Sequence, residues 1–324
     1  MSKETDLLKI LVSTDNHLGF GEKDGLRGTD SFITFEEILS MASRLEVDLI
    51  LLAGDLFHDS RPSLGTLNEA MRLIRLYCSG ERPISFELLS EARENFAHTT
   101  FPTANYLDAN LSIKLPIFTI HGNHDDPSGA GSLCAADLLH TSGLLNLFGK
   151  NPSIEQLKIR PLLIRKGDTN IAIYGIGSVR EERMHRLFVS NAVEFIRPED
   201  DVAGAEKWFS LALIHQNRSR HGPTNYLPEE FLPNFLDLVI WGHEHECRVE
   251  PEWNATQNFY VVQPGSSVAT ALTEGESLPK AVAMLEIYKK EFKVRTMPTL
   301  IRNLRFDMLY SISLILCQPN YRRE

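Results

Sequence analysis

The sequence predicts an α/β protein with two sheets, and three observations carry that prediction. In the first third of the chain, apolar runs of strand length alternate with segments of helical periodicity, the pattern of βαβ units and a mainly parallel sheet. Several of these strands stop abruptly in Gly, Asp, Asn and His, which delivers polar groups to the carboxyl edge of a sheet, where open α/β folds place their chemistry. Three later β-like runs, Phe259 to Val262, Ala281 to Ile287 and Phe292 to Thr296, follow one another through short connections. They imply antiparallel pairing in a second sheet.

Leu7 to Val12 is apolar apart from Lys9 and runs into Ser13-Thr14-Asp15-Asn16-His17-Leu18-Gly19. A polar loop with several glycines, Gly21 to Asp30, holds Arg27. Thr34 and Glu37 then match a capping box, and Phe35, Ile38, Leu39, Ala42 and Leu45 recur at helical spacing. Asp48 to Ala53 is the next strand, ending at Gly54-Asp55-Leu56-Phe57-His58. Ser63 is placed to cap a second helix whose apolar face is Leu64, Leu67, Met71 and Ile74.

From Cys78 to Leu115 the regularity fades. A structureless stretch of that length in a compact domain is usually functional or partner-bound, and Ile84, Phe86, Leu88, Phe96, Phe101 and Tyr106 give it apolar anchors. It reads as an insertion that packs on the domain or on another chain, with the domain preferred. Ile117 to Ile120 is a buried strand that stops at His121-Gly122, followed by Asn123, His124, Asp125 and Asp126. Alone, that stretch is either a decorated turn or a site. Leu133 to Leu145 is a third helix, apolar at Leu133, Ala136, Leu139 and Leu144. Ile171 to Ile176, Phe209 to Ile214 and Leu238 to Trp241 are strands; the last two end at His215 and at Gly242-His243-Glu244-His245. No repeat or low-complexity segment is present, and beyond Asp307 the pattern assigns no element.

The chain has 324 residues, 43% hydrophobic and 23% charged, which fits a soluble globular protein of one large α/β domain or two ordinary ones. A net charge of −10 excludes a basic coat that grips nucleic acid everywhere. Any phosphate binding must come from local arginines or from bound cations. Cys78, Cys134, Cys247 and Cys317 lack CxxC spacing, which argues against a disulfide framework or a thiolate zinc site and for a reducing compartment. No signal peptide is visible, and the apolar run Met308 to Cys317 is too short to span a bilayer. The expectation is a protein of the cytosol or nucleus with no membrane contact.

Five strand ends repeat one chemistry: Asp15 and His17, Asp55, Asn123 and His124, His215, then His243 and His245. In Asp-x-His and His-x-His, alternate residues of an extended segment face the same side, so both can meet one ion. A donor set of His, Asp and Asn without Cys suits manganese, iron or zinc rather than a closed structural zinc site. Seven candidate ligands exceed the need of one tetrahedral ion. A carboxylate shared by two ions about 3.5–4 Å apart explains the excess.

The ordered set Asp15-x-His17, Gly54-Asp55, Gly122-Asn123-His124, His215 and Gly242-His243-x-His245 resembles the calcineurin-like metallophosphoesterases. Longer stretches, Leu18-Gly19-Phe20, Gly54 to His58, Ile120 to Pro127, His215-Gln216-Asn217-Arg218, Trp241 to Cys247 and Gln263 to Ser267, are similar to the eukaryotic meiotic-recombination-eleven nuclease family. The resemblance implies a four-layer α-β-β-α sandwich of two mixed sheets over residues 1–298. Residues 299–324 would be the truncated start of a cap domain with a tail that departs from the family after Asp307. It implies two Mn2+ ions, one held by Asp15, His17 and His245, the other by Asn123, His215 and His243, with Asp55 bridging. His124 would protonate the departing 3′ oxygen; His58 would either assist near the phosphate or be structural. Arg27, Arg218 and Arg220 would either contact DNA phosphates or be ordinary surface residues.

The implied activity is 3′-to-5′ exonuclease and single-strand endonuclease action on DNA ends, in double-strand-break repair and meiotic recombination in the nucleus. The implied partners are a second copy of the chain through the helices at Leu64–Ile74 and Leu133–Leu145, a zinc-hook SMC-like ATPase, and a nibrin-type protein through residues 78–115. The alternatives are a phosphatase on the same scaffold and a non-catalytic dimerising scaffold. Against the phosphatase, the second motif reads Gly-Asp-Leu-Phe-His-Asp, not the Gly-Asp-x-Val-Asp-Arg-Gly of protein phosphatases.

Overall fold

The computed structural model describes residues 3–127, 130–151, 153, 155–198 and 208–299. A helical turn, α1 (Lys3–Asp6), leads into β1 (Leu8–Ser13), α2 (Asp30–Arg44), β2 (Leu49–Ala53) and α3 (Leu64–Cys78). Then come β3 (Glu87–Leu88), α4 (Ala92–Asn95), β4 (Ile117–Ile120), α5 (Ala135–Thr141), β5 (Asn146–Leu147), β6 (Leu157–Ile159), β7 (Pro161–Lys166) and β8 (Thr169–Ile176). The rest is α6 (Glu181–Val189), β9 (Val193–Phe195), β10 (Trp208–His215), β11 (Leu238–Gly242), β12 (Arg248–Asn254), β13 (Phe259–Gln263), α7 (Glu274–Ser277), β14 (Ala281–Tyr288) and β15 (Glu291–Pro298).

One sheet runs β15-β14-β1-β2-β4-β5 and the other β12-β13-β11-β10-β8-β7-β3. Strands β1, β2, β4 and β5 are parallel, as are β8, β10, β11 and β13, and each sheet carries antiparallel strands at its edges. Both sheets are therefore mixed. Central strands buried on both faces are nearly continuous apolar runs, as in Leu-Ile-Leu-Leu-Ala of β2. Period-2 alternation then sorts side chains between layers. Leu8, Ile10 and Val12 of β1 join Phe118, Phe209, Leu213 and Ile240 between the sheets, while Leu11 faces Phe35, Ile38 and Leu39 of α2. On the far side, Met184 and Leu187 of α6 cover Tyr174 and Ile176 of β8. The result is the expected α-β-β-α sandwich, with the carboxyl ends of both sets of parallel strands at one edge.

Several local expectations are corrected. Thr34 is not a cap; α2 begins a turn earlier at Asp30, whose charge suits the positive helix start, and Thr34 Oγ1 donates to the Asp30 carbonyl at 3.1 Å. Ser63 does cap α3, its hydroxyl accepting from Thr66 N at 3.0 Å. That helix is rotated from the expected face, however: Ala70, Leu73 and Ile74 are buried, while Leu64 stands 85% exposed. The third helix is only Ala135–Thr141, because Gly143 turns the chain with a φ of 74°. Of the three late runs, only β13 joins the second sheet, parallel to β11; β14 and β15 form an antiparallel hairpin on β1 of the first sheet. Local alternation fixes strand faces but not which sheet offers a free edge.

The insertion from Cys78 to Leu115 packs internally: β3 extends the second sheet beside β7, and Phe86, Phe96 and Ala104 enter the core between the sheets. Among the described residues, no helix is long and apolar enough to cross a membrane. Residues 300–324, including the run Met308 to Cys317, lie outside the described residues.

Candidate metal centre

Three of the five strand ends, those of β1, β2 and β11, pass into left-handed backbone. Asp15, His17, Asp55 and His243 have φ values of 49°, 46°, 50° and 80°. Left-handed backbone at non-glycine residues costs about 1–3 kcal/mol each and collects at functional sites. Cross-links hold these turns: Asp15 N donates to Gly54 O at 3.1 Å, His17 N to Asp55 O at 3.0 Å, and His243 N to Asp15 Oδ2 at 3.0 Å. Gly122 lets the chain pass the Asp55 carboxylate, where any Cβ would collide with Oδ1.

The side chains so delivered form two adjoining groups. In one, His17 Nε2 and His245 Nε2 are 3.0 Å apart, with Asp15 Oδ1 at 3.6 Å from His245 and 4.0 Å from His17. In the other, Asp55 Oδ2 lies 3.3 Å from His215 Nε2, and Asn123 Oδ1 lies 3.2 Å from His215 Nε2 and 2.7 Å from His243 Nδ1. Asp55 Oδ2 also stands 4.0 Å from His17 Nε2, and Asp15 Oδ1 3.9 Å from His215 Nε2, so both carboxylates reach across the boundary. All seven sequence-derived ligand candidates are thus brought together.

The donor chemistry fits divalent cations. The inner oxygens Asp15 Oδ1 and Asp55 Oδ2 are buried and accept no hydrogen bond among the described residues, while their outer oxygens are taken by Thr14, His243 N and His124 N. Burying a carboxylate costs several kcal/mol; the His215 and His245 imidazoles at 3.3–3.9 Å offset part of it, and a cation on those oxygens offsets more. The imidazoles are oriented to match. His215 Nδ1–H donates to Ala53 O at 2.8 Å, His243 Nε2–H to Asn217 Oδ1 at 2.6 Å, and His245 Nδ1–H to Glu276 Oε1 at 3.1 Å. In each ring the other nitrogen keeps its lone pair for the centre. Burial alone would hold His215 neutral, but the carboxylates of Asp55 and Asp15 outweigh it and push the imidazole up to about 10. Burial lowers His17 well below the usual histidine value. Proton and cation therefore compete for the same pocket.

His124 turns away from Asn123. Its Nδ1–H donates to the His58 carbonyl at 2.5 Å, and its ring stacks on His58 with centroids 5.1 Å apart and edges onto His17 at 4.9 Å. His58 Nδ1 approaches His17 Nδ1 at 3.4 Å. Asp125, buried, accepts from Gly122 N and Leu56 N; burial and the neighbouring Asp55 push it up to about 7.

The arginines fare differently. Arg218 is committed inside the protein: it pairs with Glu229 and Glu252 at 2.9 and 2.7 Å, donates to Gln263, and lies over the Trp241 ring. Its guanidinium is thus taken up by partners within the chain. Arg27 is held by Asp30, the Ala269 carbonyl and the Phe20 ring. Arg220 is exposed.

Glu276 escaped the sequence reading. Besides His245 it accepts from Thr270 N, Ala271 N, Thr270 Oγ1 and Ser266 Oγ, with Lys280 Nζ at 3.6 Å. Burial alone would raise it, but these donors and the two cationic neighbours bring it down to about 2. The available signal was Glu276-Ser-Leu-Pro-Lys280, opposite charges four residues apart.

Residues 8–247 match the family model described as calcineurin-like phosphoesterase. The chain belongs to that family. Among curated relatives of this phosphoesterase, the rat double-strand break repair protein MRE11 is 52% identical over 295 residues, 91% of this chain and 41% of the rat protein. The human protein of the same name is 51% identical, with the same coverage. The double-strand break repair protein mus-23 of Neurospora crassa is 48% identical over 295 residues, 91% of this chain and 39% of that protein. This phosphoesterase thus spans about two fifths of the length of the curated relatives it matches.

Proposed function

We propose that this chain is a DNA phosphodiesterase acting in double-strand-break repair and meiotic recombination, as a 3′-to-5′ exonuclease and a single-strand endonuclease. One observation carries the proposal: two His-and-carboxylate groups share a wall of buried carboxylate oxygens that accept no hydrogen bond among the described residues, with an imidazole tied by its Nδ1 beside them. Relatives about half identical in sequence and named for double-strand break repair support DNA as the substrate. Asp15, His17 and His245 hold one cation, Asn123, His215 and His243 the other, and Asp55 reaches both. Two manganese ions suit these donors, and bound there they neutralise phosphoryl oxygens and acidify a water.

The chain's own groups do the rest. The His58 carbonyl fixes the His124 ring through Nδ1, so that Nε2–H is the proton offered to the departing 3′ oxygen, a general-acid role open to imidazole near neutral pH. The stacked His58 ring holds His124 in its plane. Nuclear location follows from the proposed role. A homodimer fits Leu64 of α3 and Leu138 of α5, left 85% and 55% exposed. A nibrin-type partner fits the insertion, where Leu89, Phe101 and Leu107 face solvent. A zinc-hook SMC-like ATPase completes the proposed assembly on DNA ends.

The test is cleavage of single-stranded and 3′-recessed DNA with and without manganese. Metal-dependent loss of nucleotides from 3′ ends is the expected result. Hydrolysis of a phosphomonoester dye with no DNA cleavage would overturn the reading in favour of a phosphatase.

A further inference from the structure

In Gly242-His243-Glu244-His245 the two histidines serve the two halves of the centre, and the residue between them reaches elsewhere. Glu244 Oε1 accepts from Arg218 N and from Ser219 N, both at 2.7 Å. Backbone N–H groups donating to a carboxylate form short, charge-assisted bonds, roughly twice as strong as bonds between neutral groups. These two complete a series. Strands β10 and β11 are parallel neighbours whose last ladder pair is His215 with Gly242. Past that pair, side chains of β11 keep the two strand ends joined. Trp241 Nε1–H donates to Gln216 O at 2.8 Å, His243 Nε2–H donates to Asn217 Oδ1 at 2.6 Å, and Glu244 takes the next two residues. A cavity of about 960 Å³ opens beside this loop, lined by Asn217, His243 and Asn123, by Arg183 and Leu187 of α6, and by His98 of the insertion. Burial holds the His98 ring down at about 4.

The other holds on the loop act at a distance from the main chain of 218 and 219. Arg218 is anchored through its guanidinium, at the end of a long side chain. Asn217 O and Nδ2 meet Leu227 N and Asn225 O, which belong to the same loop. Among the described residues, Glu244 is the acceptor for both N–H groups that follow Asn217. The Arg218 N–H lies in the same rigid peptide plane as the Asn217 carbonyl, so fixing one fixes the backbone that carries the Asn217 amide.

We propose that Glu244 is a positioning residue for the half of the centre that borders the cavity: it clamps residues 218 and 219 to the end of β11, and so keeps Asn217 where it orients His243. The assignment rests on the two-cation reading above and deepens it. One strand end supplies a ligand and, one residue on, the hold on that ligand's partner. A single oxygen takes both bonds, so the position requires an acceptor more than a negative charge. Glutamine offers the same acceptor. A carboxylate acting on the cations through its charge would demand glutamate.

The experiment titrates manganese by calorimetry into the full chain as wild type, Glu244→Ala, Glu244→Gln, Asn217→Ala and the Glu244→Ala/Asn217→Ala double variant. Glu244→Ala is expected to weaken one site about threefold to tenfold, as loss of the Asn217 hydrogen bond does. The other site stays within error, which also shows that the variant is folded. Glu244→Gln is expected to recover most of the loss. Because the clamp acts through Asn217, the double variant should fall within about twofold of Asn217→Ala alone, where independent effects would multiply. No loss in Glu244→Ala, equal weakening of both sites, an equal loss in Glu244→Gln, or multiplied losses in the double variant each overturn the assignment and leave the two-cation reading standing. A wild type with no tight manganese site overturns that reading and the assignment with it.

Discussion

His245 and His243 stand two residues apart on one strand end, yet their surroundings differ in kind. His245 gives its Nδ1–H to Glu276, a buried carboxylate that gathers further donors and sits 3.6 Å from the buried Lys280 ammonium. His243 gives its Nε2–H to Asn217, a half-exposed amide on the rim of the cavity. A charged brace raises the basicity of the ring it holds and fixes its plane; a neutral amide holds the plane with less electrostatic pull. One half of the centre is thus braced by a buried ion pair, and the other borders the cavity. The difference teaches that equal ligand chemistry need not mean equal hold on the two ions.

The largest expected effect ignores the division. Asp55 reaches both halves, so Asp55→Asn should abolish tight binding at both sites and cut DNA cleavage on the order of a thousandfold. Titration calorimetry that still resolved two tight manganese sites in this variant would show the halves to be independent. Glu276→Gln should act on one half alone, weakening one site tenfold to a hundredfold and leaving the other within error. It also removes the carboxylate 3.6 Å from Lys280 Nζ, which keeps its hydrogen bonds to the His245 carbonyl and to Ser266 Oγ, so the variant should lose some stability along with the site. Equal weakening of both sites would break the comparison.

A third outcome concerns the open half. The folded His98 sits near 4, below its unfolded value, so the unfolded chain takes up its proton first as pH falls. Its contribution to stability is complete above about 6.5 and is lost as pH drops toward 4, a change of about 2 kcal/mol after discounting for the part of the ring that meets solvent. Denaturant melts across that window should show a shallower pH slope for His98→Phe; an unchanged slope would mean the ring is not the titrating group. The smallest effect is Asn217→Ala, which removes one neutral hydrogen bond worth about 0.5–1.5 kcal/mol. It should weaken only the His243 site, by roughly threefold to tenfold, as read from the same calorimetry.

The residues that gather at the centre were legible because the strands announce their own ends: an apolar run stops, glycine marks the ends of β2, β4 and β11, and the next side chains stand at the sheet edge. The two-sheet α/β class was legible for the same reason. What depended on distant partners was not. The Glu276 brace belongs to no motif and acquires meaning only when His245 arrives beside it. Arg218 looks available until Glu229 and Glu252 close on it. The hairpin of β14 and β15 has the alternation of either sheet, and only the free edge of β1 decides between them. The cavity draws on the insertion, α6 and two strand ends, a combination that no single window of sequence contains.

The left-handed backbone at Asp15, His17, Asp55 and His243 has a practical consequence for anyone disabling this centre. Alanine is the habitual substitute, but at these positions it removes the chemistry while keeping the conformational penalty of a Cβ. Glycine takes up the same φ at little steric cost, and asparagine visits that region more readily than most residues. An inactive chain meant to keep its shape, for crystallisation or as an interfering control in cells, is better made with Asp15→Asn or His17→Gly than with alanine. The backbone, more than the metal chemistry, decides which dead variant still looks like the living one.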